Sequence, residues 1–307
     1  LSLSRRGRGH PTRSAHTMLR TVSQLVAALI VVSTQHINAA APVYQVKDLT
    51  PDGYTTSSAF DINAAGDAVG VAGTFASGSF EEAYFFYDHS EATSTVFGVG
   101  TVRPSTASFG TGFRRAAIND AGQIAGTAVF IGGSPQRRGF IYSGGTSGTF
   151  TDLGVLASAS SSGSRPVSDA LDINSLGIAT GTATSGTGAN DNRDVYSGSI
   201  SPITDIDGDL TVATRGDTGR ALNNAGLVVG SNEDGKATLF GAGVTETVLL
   251  AGTAYAAGTS VAVDLNESGQ VVGTTTVDTE AFLYDSSDSS VTILPEIGSG
   301  RMVAQAI

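Results

Sequence analysis

Cysteine and tryptophan are both absent from the 307 residues. Without cysteine there is no disulfide, no thiol nucleophile and no Cys-ligated zinc, so the fold has to be held by burial and backbone pairing alone. The absence of tryptophan removes WD repeats and argues against the tryptophan-containing Asp box of sialidases. Histidine is nearly absent as well. Three of the four, His10, His16 and His36, fall in an N-terminal stretch that reads as removable, which leaves His89. One histidine cannot build a His-rich metal site, and a Ser-His-Asp triad would have to use it. It stands in the polar run Asp88-His89-Ser90-Glu91, which reads as a solvated turn.

Long apolar runs are also lacking. The longest candidate, Leu25 to Val32, follows Met18-Leu19-Arg20 and precedes the small residues Ala39-Ala40-Ala41. That is the pattern of a secretory signal peptide over 18–40, and the run is much shorter than the roughly 20 residues of a membrane span. Residues 1–17 read as a non-native upstream segment and 41–307 as the repeat domain. Removing residues 1–40 removes Arg5, Arg6, Arg8, Arg13 and Arg20 and no acid, leaving 12 bases against 28 acids, a formal charge of −16. An acidic exported chain is expected, secreted or at the cell surface. Nucleic acid and anionic membranes are poor partners for such a charge.

What the chain has is repetition. The pattern I/L-N-x-x-G-x-x-x-G occurs five times without a gap, from Ile62, Ile118, Ile173, Leu222 and Leu265. In each copy Asn leads a tight turn and Gly closes it: Asn63 and Gly66, Asn119 and Gly122, Asn174 and Gly177, Asn223 and Gly226, Asn266 and Gly269. An Asn side chain can bond the backbone two residues on, and a left-handed residue after the central pair favours glycine, so the unit predicts a hairpin with a bulge glycine.

Short apolar runs flank each turn, such as Val261-Ala262-Val263 and Val271-Val272, and predict two strands. An aromatic run follows as a third: Tyr84-Phe85-Phe86-Tyr87, Phe140-Ile141-Tyr142, Leu239-Phe240 and Phe282-Leu283-Tyr284. Consecutive apolar residues, without alternation, imply a sheet covered on both faces. Thr151-Asp152-Leu153, Thr204-Asp205-Ile206 and Val291 to Leu294 supply a fourth, with Val46-Lys47-Asp48-Leu49 as an orphan copy ahead of the first unit. The Asn-to-Asn period of 56, 55, 49 and 43 residues brackets a four-stranded propeller blade. The expected fold is all-β, a β-propeller with five complete blades and a partial sixth; a β-sandwich or β-solenoid is the rival. Ala304-Gln305-Ala306-Ile307 aligns with Ala59-Phe60-Asp61-Ile62, so the natural protein is expected to continue into a sixth turn.

The turn motif, the strand from Glu280 to Asp285 and the Asp152 to Leu156 strand resemble the extracellular HAF-repeat proteins over about residues 43–307. The resemblance implies an exported bacterial, propeller-like repeat protein of a family without an established enzymatic activity. The family's His-Ala-Phe lacks its histidine here: Glu82, Arg138, Lys236 or Glu280 stands in that place.

Carboxylates are scattered, with one dense cluster, Asp205-Ile206-Asp207-Gly208-Asp209. Asp205, Asp207 and Asp209 offer alternating oxygens as calcium loops do, but Gly comes fourth and the twelfth position is Gly216, so this is no EF-hand. It reads either as an acidic turn between units or as a calcium site. No other cofactor is indicated. Arg114-Arg115 and Arg137-Arg138 read as a solvated rim in preference to an anion site, and Ser158 to Ser164 and Thr182 to Asn192 as lengthened loops. The leading expectation is a secreted, non-enzymatic module that binds a polysaccharide, a surface protein or another copy of itself. The competing one is a hydrolase or lyase using acidic residues on the propeller axis, with or without Ca²⁺.

Overall fold

A computed structural model describes residues 46–307, except 77–78, 99–101, 105–114, 131–135, 157–165, 186–191, 200–201, 207–216, 242–244, 277–279 and 296–301. Residues 49–307 form one unit. It is all-β, with five antiparallel sheets; among the described residues the only helical piece is a 3-10 turn, Gly145–Ser147.

The first sheet runs β1 (Thr56–Ile62), β2 (Ala68–Ala76), β3 (Ser79–Asp88) and β4 (Thr93–Phe97). In the second, β5 (Val102–Pro104) and β6 (Ala116–Ile118) share one edge of β7 (Ile124–Phe130), followed by β8 (Gln136–Ser143) and β9 (Thr149–Asp152). The third is β10 (Ser168–Ile173), β11 (Ala179–Ser185), β12 (Asn192–Gly198) and β13 (Thr204–Asp205). The fourth is β14 (Thr218–Leu222), β15 (Val228–Ser231), β16 (Ala237–Gly241) and β17 (Thr245–Val248), and the fifth is β18 (Ser260–Leu265), β19 (Gln270–Thr275), β20 (Ala281–Asp285) and β21 (Ser290–Ile293). Apart from β5, which shares an edge with β6, each sheet is thus a meander in sequence order, one per repeat.

The aromatic runs explain why the sheets stack. Along β8, Phe140 and Tyr142 join Val69, Tyr84 and Phe97 of the first sheet, while Ile141 between them joins Ala170, Ala179 and Tyr196 of the third. A strand points successive side chains to opposite faces, so one apolar run feeds two cores. The same division occurs on β16, where Leu239 packs with Phe282 of the fifth sheet and Phe240 with Val195 of the third. Each fully buried Phe of this kind contributes about 1.5–3 kcal/mol. Stacking is directional too: the Tyr84 ring meets Phe140 edge-on at 5.4 Å and its hydroxyl donates to the carbonyl of Thr127 in the neighbouring sheet.

Several expectations need correction. Residues 46–50 carry no strand, so Val46 to Leu49 is not an orphan fourth strand. The fourth strands of the first and fourth sheets are β4 and β17, whose Thr/Ser/Glu content hid them. Thr182 to Ser185 lies in β11 and Asn192 opens β12, so only the segment between them connects strands.

Candidate functional site

The five asparagine turns form as the spacing requires. Each closing glycine donates its N–H to the carbonyl of the leading Asn at 2.9–3.1 Å, and Gly66, Gly122, Gly177, Gly226 and Gly269 all have φ between 74° and 88°. Each Asn Oδ1 accepts the N–H groups two and four residues on, at 2.9–3.1 Å. A sixth turn of this design, Asn232 to Lys236, joins β15 to β16 at the other end of the fourth sheet.

The amide nitrogen of the same Asn reaches the next sheet. Asn63 Nδ2 donates to Asn119 O at 3.3 Å, Asn119 to Asn174 O at 2.9 Å, Asn174 to Asn223 O at 3.1 Å and Asn223 to Asn266 O at 3.3 Å. The turns are therefore linked in series, with all but the last donor–acceptor pair buried, where a direct partner matters most. A second belt lies one residue on: Ala64 N donates to Asp120, Ser175 N to Asn224 and Asn224 N to Glu267.

A third set of links sits two residues before each Asn, where the sequence alternates Asp61, Ala117, Asp172, Ala221, Asp264. Asp61 accepts Ile62 N through Oδ1 and Ile118 N of the next sheet through Oδ2, both at 2.8 Å. Asp172 does the same for Ile173 and Leu222 at 2.8 Å, and Asp264 for Leu265 and Ile307 at 2.9 Å. One carboxylate thus serves two repeats, and the partner repeat needs only alanine.

Just before Asp61, Asp172, Ala221 and Asp264 the first strand carries an extra residue: Phe60, Leu171, Arg220 and Val263 in turn. β6 has none. The bulge sets the second glycine of the motif. A Cβ on Gly70, Gly181, Gly230 or Gly273 would lie 1.6–2.4 Å from a carbonyl oxygen of the bulged strand, whereas on Gly126, opposite the unbulged β6, its nearest neighbours would be the Phe140 and Tyr84 side chains.

The first strands lie side by side, β1 on β6, β6 on β10, β10 on β14 and β14 on β18. Their charges are felt beyond immediate neighbours. Burial pushes the Asp172 carboxyl up to about 7 against its two N–H donors, and Asp264 and Asp61 add to the rise. Asp264 is raised by burial, then by Asp61, with Arg115 pulling the other way. The Arg220 guanidinium is lowered by burial and then by Arg115.

Of the expected calcium ligands, Asp205 ends β13, partly exposed, and Asp207 and Asp209 lie outside the described residues. A different acidic group is present: Asp217, Glu233 and Glu246 each place an oxygen within 4.8 Å of the others. Its members are far apart in sequence and come together only through the pairing of the fourth sheet. His89 is exposed, in the turn after β3. Arg137 and Arg138 do not form a solvated rim. Arg137 pairs with Asp169 of the third sheet at 2.6 Å, with side chains 12% and 11% exposed. Arg138 is buried and donates to Gln136 Oε1 and to the carbonyl of Pro166. Lys236, at the equivalent place in the fourth sheet, donates to the carbonyls of Ala256 and Gly258 at 2.8 and 2.6 Å. Arg138 and Lys236 thus tie their sheets to the segments leading to the next.

Residues 23–169 match the model of a protein family of unknown function, DUF3466. None of the curated proteins matches the sequence. Among solved structures, a puromycin hydrolase superposes with a TM-score of 0.50 at 14% identity, over 81% of this chain and 40% of its own. This chain therefore spans well under half the length of that protein, and the likeness concerns the fold alone. A mannose phosphorylase from Leishmania mexicana, MPT-4, solved with phosphate, aligns at 12% identity over 90% of this chain and 76% of its own, with a TM-score of 0.30, too low to bear on the fold. No helix among the described residues is long and apolar enough to cross a membrane.

Proposed function

We propose that the five sheets are blades of a propeller-like ring and that the chain is an exported, non-enzymatic binding module of the HAF-repeat kind. The contiguous first strands support the ring, and so does the field between Asp61 in the first sheet and Asp264 in the fifth. Sheets pack about 10 Å apart, so a straight stack would separate these two by roughly 40 Å, several screening lengths. A row that curves about a centre brings them together.

The observation that carries the binding reading is that both oxygens of Asp61, Asp172 and Asp264 accept backbone N–H groups. The acids nearest the centre hold turns together, and the residues that vary between repeats are left to meet a partner. That partner is an extracellular polysaccharide, a surface protein or a second copy. The test is a glycan and metal binding screen on the full chain, with hydrolase and lyase assays on the same sample. Saturable binding without turnover is expected, and turnover abolished by Asp172→Asn would overturn the reading.

A second reading, a hydrolase or lyase, has one specific support: a carboxyl pushed up to about 7 is suited to act as a general acid near neutral pH. The same assays decide between them.

A further inference from the structure

The repeats fall into two kinds. The first strands of the first, third and fifth sheets read Ser-x-Ala-x-Asp, as Ser57, Ala59 and Asp61, then Ser168, Ala170 and Asp172, then Ser260, Ala262 and Asp264, whereas those of the second and fourth carry Ala117 and Ala221 in place of the aspartate. In the third and fifth sheets this strand is covered by the sheet before it. Ser168 Oγ accepts the N–H of Gly139 on β8 at 3.0 Å and Ser260 Oγ that of Ala237 on β16 at 2.9 Å, and Ser168, Ala170, Ser260 and Ala262 are all buried. In the first sheet the same face is open. Ser57 and Ala59 are exposed, and Ile62 is 65% exposed where Ile118, Ile173, Leu222 and Leu265 are each 6% exposed. Four of five copies bury this residue, so its exposure in the first marks a face built for a neighbouring sheet.

Part of that neighbour is already in place. Leu153 and Leu249 follow β9 and β17, donate to Gly139 O and Ala237 O at 3.0 and 2.9 Å, and pack on the third and fifth sheets, with Ala179 and Tyr196 and with Val271 and Phe282. Leu49 packs in the same way on the first sheet, with Ala68 and Phe85, the counterparts of Ala179 and Tyr196. It stands where a preceding fourth strand would end. On the far side of the fifth sheet, Ile307 N donates to Asp264 Oδ2 at 2.9 Å, as Ile118 N does to Asp61 and Leu222 N to Asp172. Ala304 N, three residues earlier, donates to Thr274 Oγ1 at 3.2 Å, the bond that Ala170 N makes with Thr127 Oγ1 at the same distance. Residues 302–307 are therefore seated in the register of a first strand, and of the alanine kind, since Ala306 holds the aspartate position.

We propose that the open face of the first sheet receives a sixth sheet of the alanine kind, contiguous with this chain, in which residues 302–307 are the first strand and Leu49 fills the place after the fourth. The building unit is then a pair of sheets, one with aspartate and one with alanine. In an odd ring Asp264 would face Ile62 N, which Asp61 already serves; an even ring avoids this, and with six sheets three pairs complete it. A second copy of the chain fits less well, because its fifth sheet already carries residues 302–307 on the face that would have to meet Ser57 and Ile62. The inference rests on the ring part of the reading above and is independent of the binding part.

The chain has no cysteine, so introduced pairs report cleanly. The full chain carrying Ala59→Cys and Ala306→Cys is treated with a short bismaleimide, with Ala117→Cys and Ala170→Cys, whose parent residues share one core, as the benchmark. Both pairs are expected to cross-link within a single chain. Ile62→Ala is expected to lower the melting temperature by about as much as Ile173→Ala, roughly 5–10 °C, since both side chains are then covered. Cross-links between copies, or cysteines that each take a separate maleimide while the benchmark pair closes, overturn the sixth sheet, and so does an Ile62→Ala variant that melts with the wild type. X-ray scattering from the same sample separates this from the ring: a flat, disc-like particle without the cross-link leaves the ring standing and removes only the sixth sheet, and an elongated one removes both.

Discussion

Asp172 accepts the backbone N–H of Leu222 in the next sheet at 2.8 Å while its other oxygen accepts that of Ile173. The relationship joins two repeats through one side chain, and it explains why aspartate alternates with alanine two residues before the turn asparagines. Replacing Asp61, which plays the same part for Ile118, by alanine removes the acceptor for a buried backbone donor. The expected loss is about 1–3 kcal/mol, read from urea unfolding at neutral pH. Ala117→Ser, which tests the same position in a repeat that needs no acceptor, should change stability by less than about 1 kcal/mol.

The asparagine series gives a sharper contrast. Asn174→Ala removes two turn bonds, to Leu176 N and Ile178 N, and the link to Asn223 O, and should cost about 2–4 kcal/mol. Asn174→Asp keeps the acceptor for the turn and loses the donor to the next sheet, placing a negative oxygen against a carbonyl. If the inter-sheet link matters, Asn174→Asp should be as damaging as the alanine variant above pH 6 and milder when the acid is protonated. Equal stability of Asn174→Asp and wild type across that range would show that the link contributes nothing.

Glycine-to-alanine substitutions should fall into three grades. Gly230→Ala sets a Cβ 1.6 Å from Thr218 O and cannot be accommodated without moving backbone, so a loss of about 3 kcal/mol or more is expected. Gly126→Ala meets the Phe140 ring at 2.8 Å, which a side-chain shift relieves in part. Gly122→Ala has open space but a φ of 74°, a penalty of roughly 1–2 kcal/mol. Thermal melts of the three variants should rank in that order, and an equal ranking of Gly126 and Gly230 would remove the role assigned to the bulge.

Stability should fall as pH rises through neutrality. The Asp172 carboxyl is raised in the folded chain from the ordinary carboxylate range to about 7, so the folded state binds a proton the unfolded state has released. Its contribution is complete below the unfolded value and is lost as pH climbs to about 7, with Asp264 shifted in the same direction. The full shift would correspond to roughly 4 kcal/mol, which the solvent still reaching Asp172 reduces to about 1–2 kcal/mol. Unfolding midpoints at pH 5 and pH 8 should differ accordingly, and Asp172→Asn should flatten the difference. A wild type more stable at pH 8 than at pH 5 would contradict the sign.

Local chemistry was legible in the sequence. The Asn-x-x-Gly turns, the two strands that flank each of them and the all-β class follow from side-chain-to-backbone bonding, left-handed glycine and strand periodicity, which act within a few residues. The two-sided burial of Phe140-Ile141-Tyr142 was legible too, because an unbroken apolar run has only that meaning in a short strand. The remainder depends on where one repeat lies against another. Arg137 finds Asp169 and Asp172 finds Leu222 only because separate sheets are brought side by side. The alternating Asp and Ala were visible in the chain, but distance in space, not spacing along the backbone, decides which N–H a carboxylate can reach.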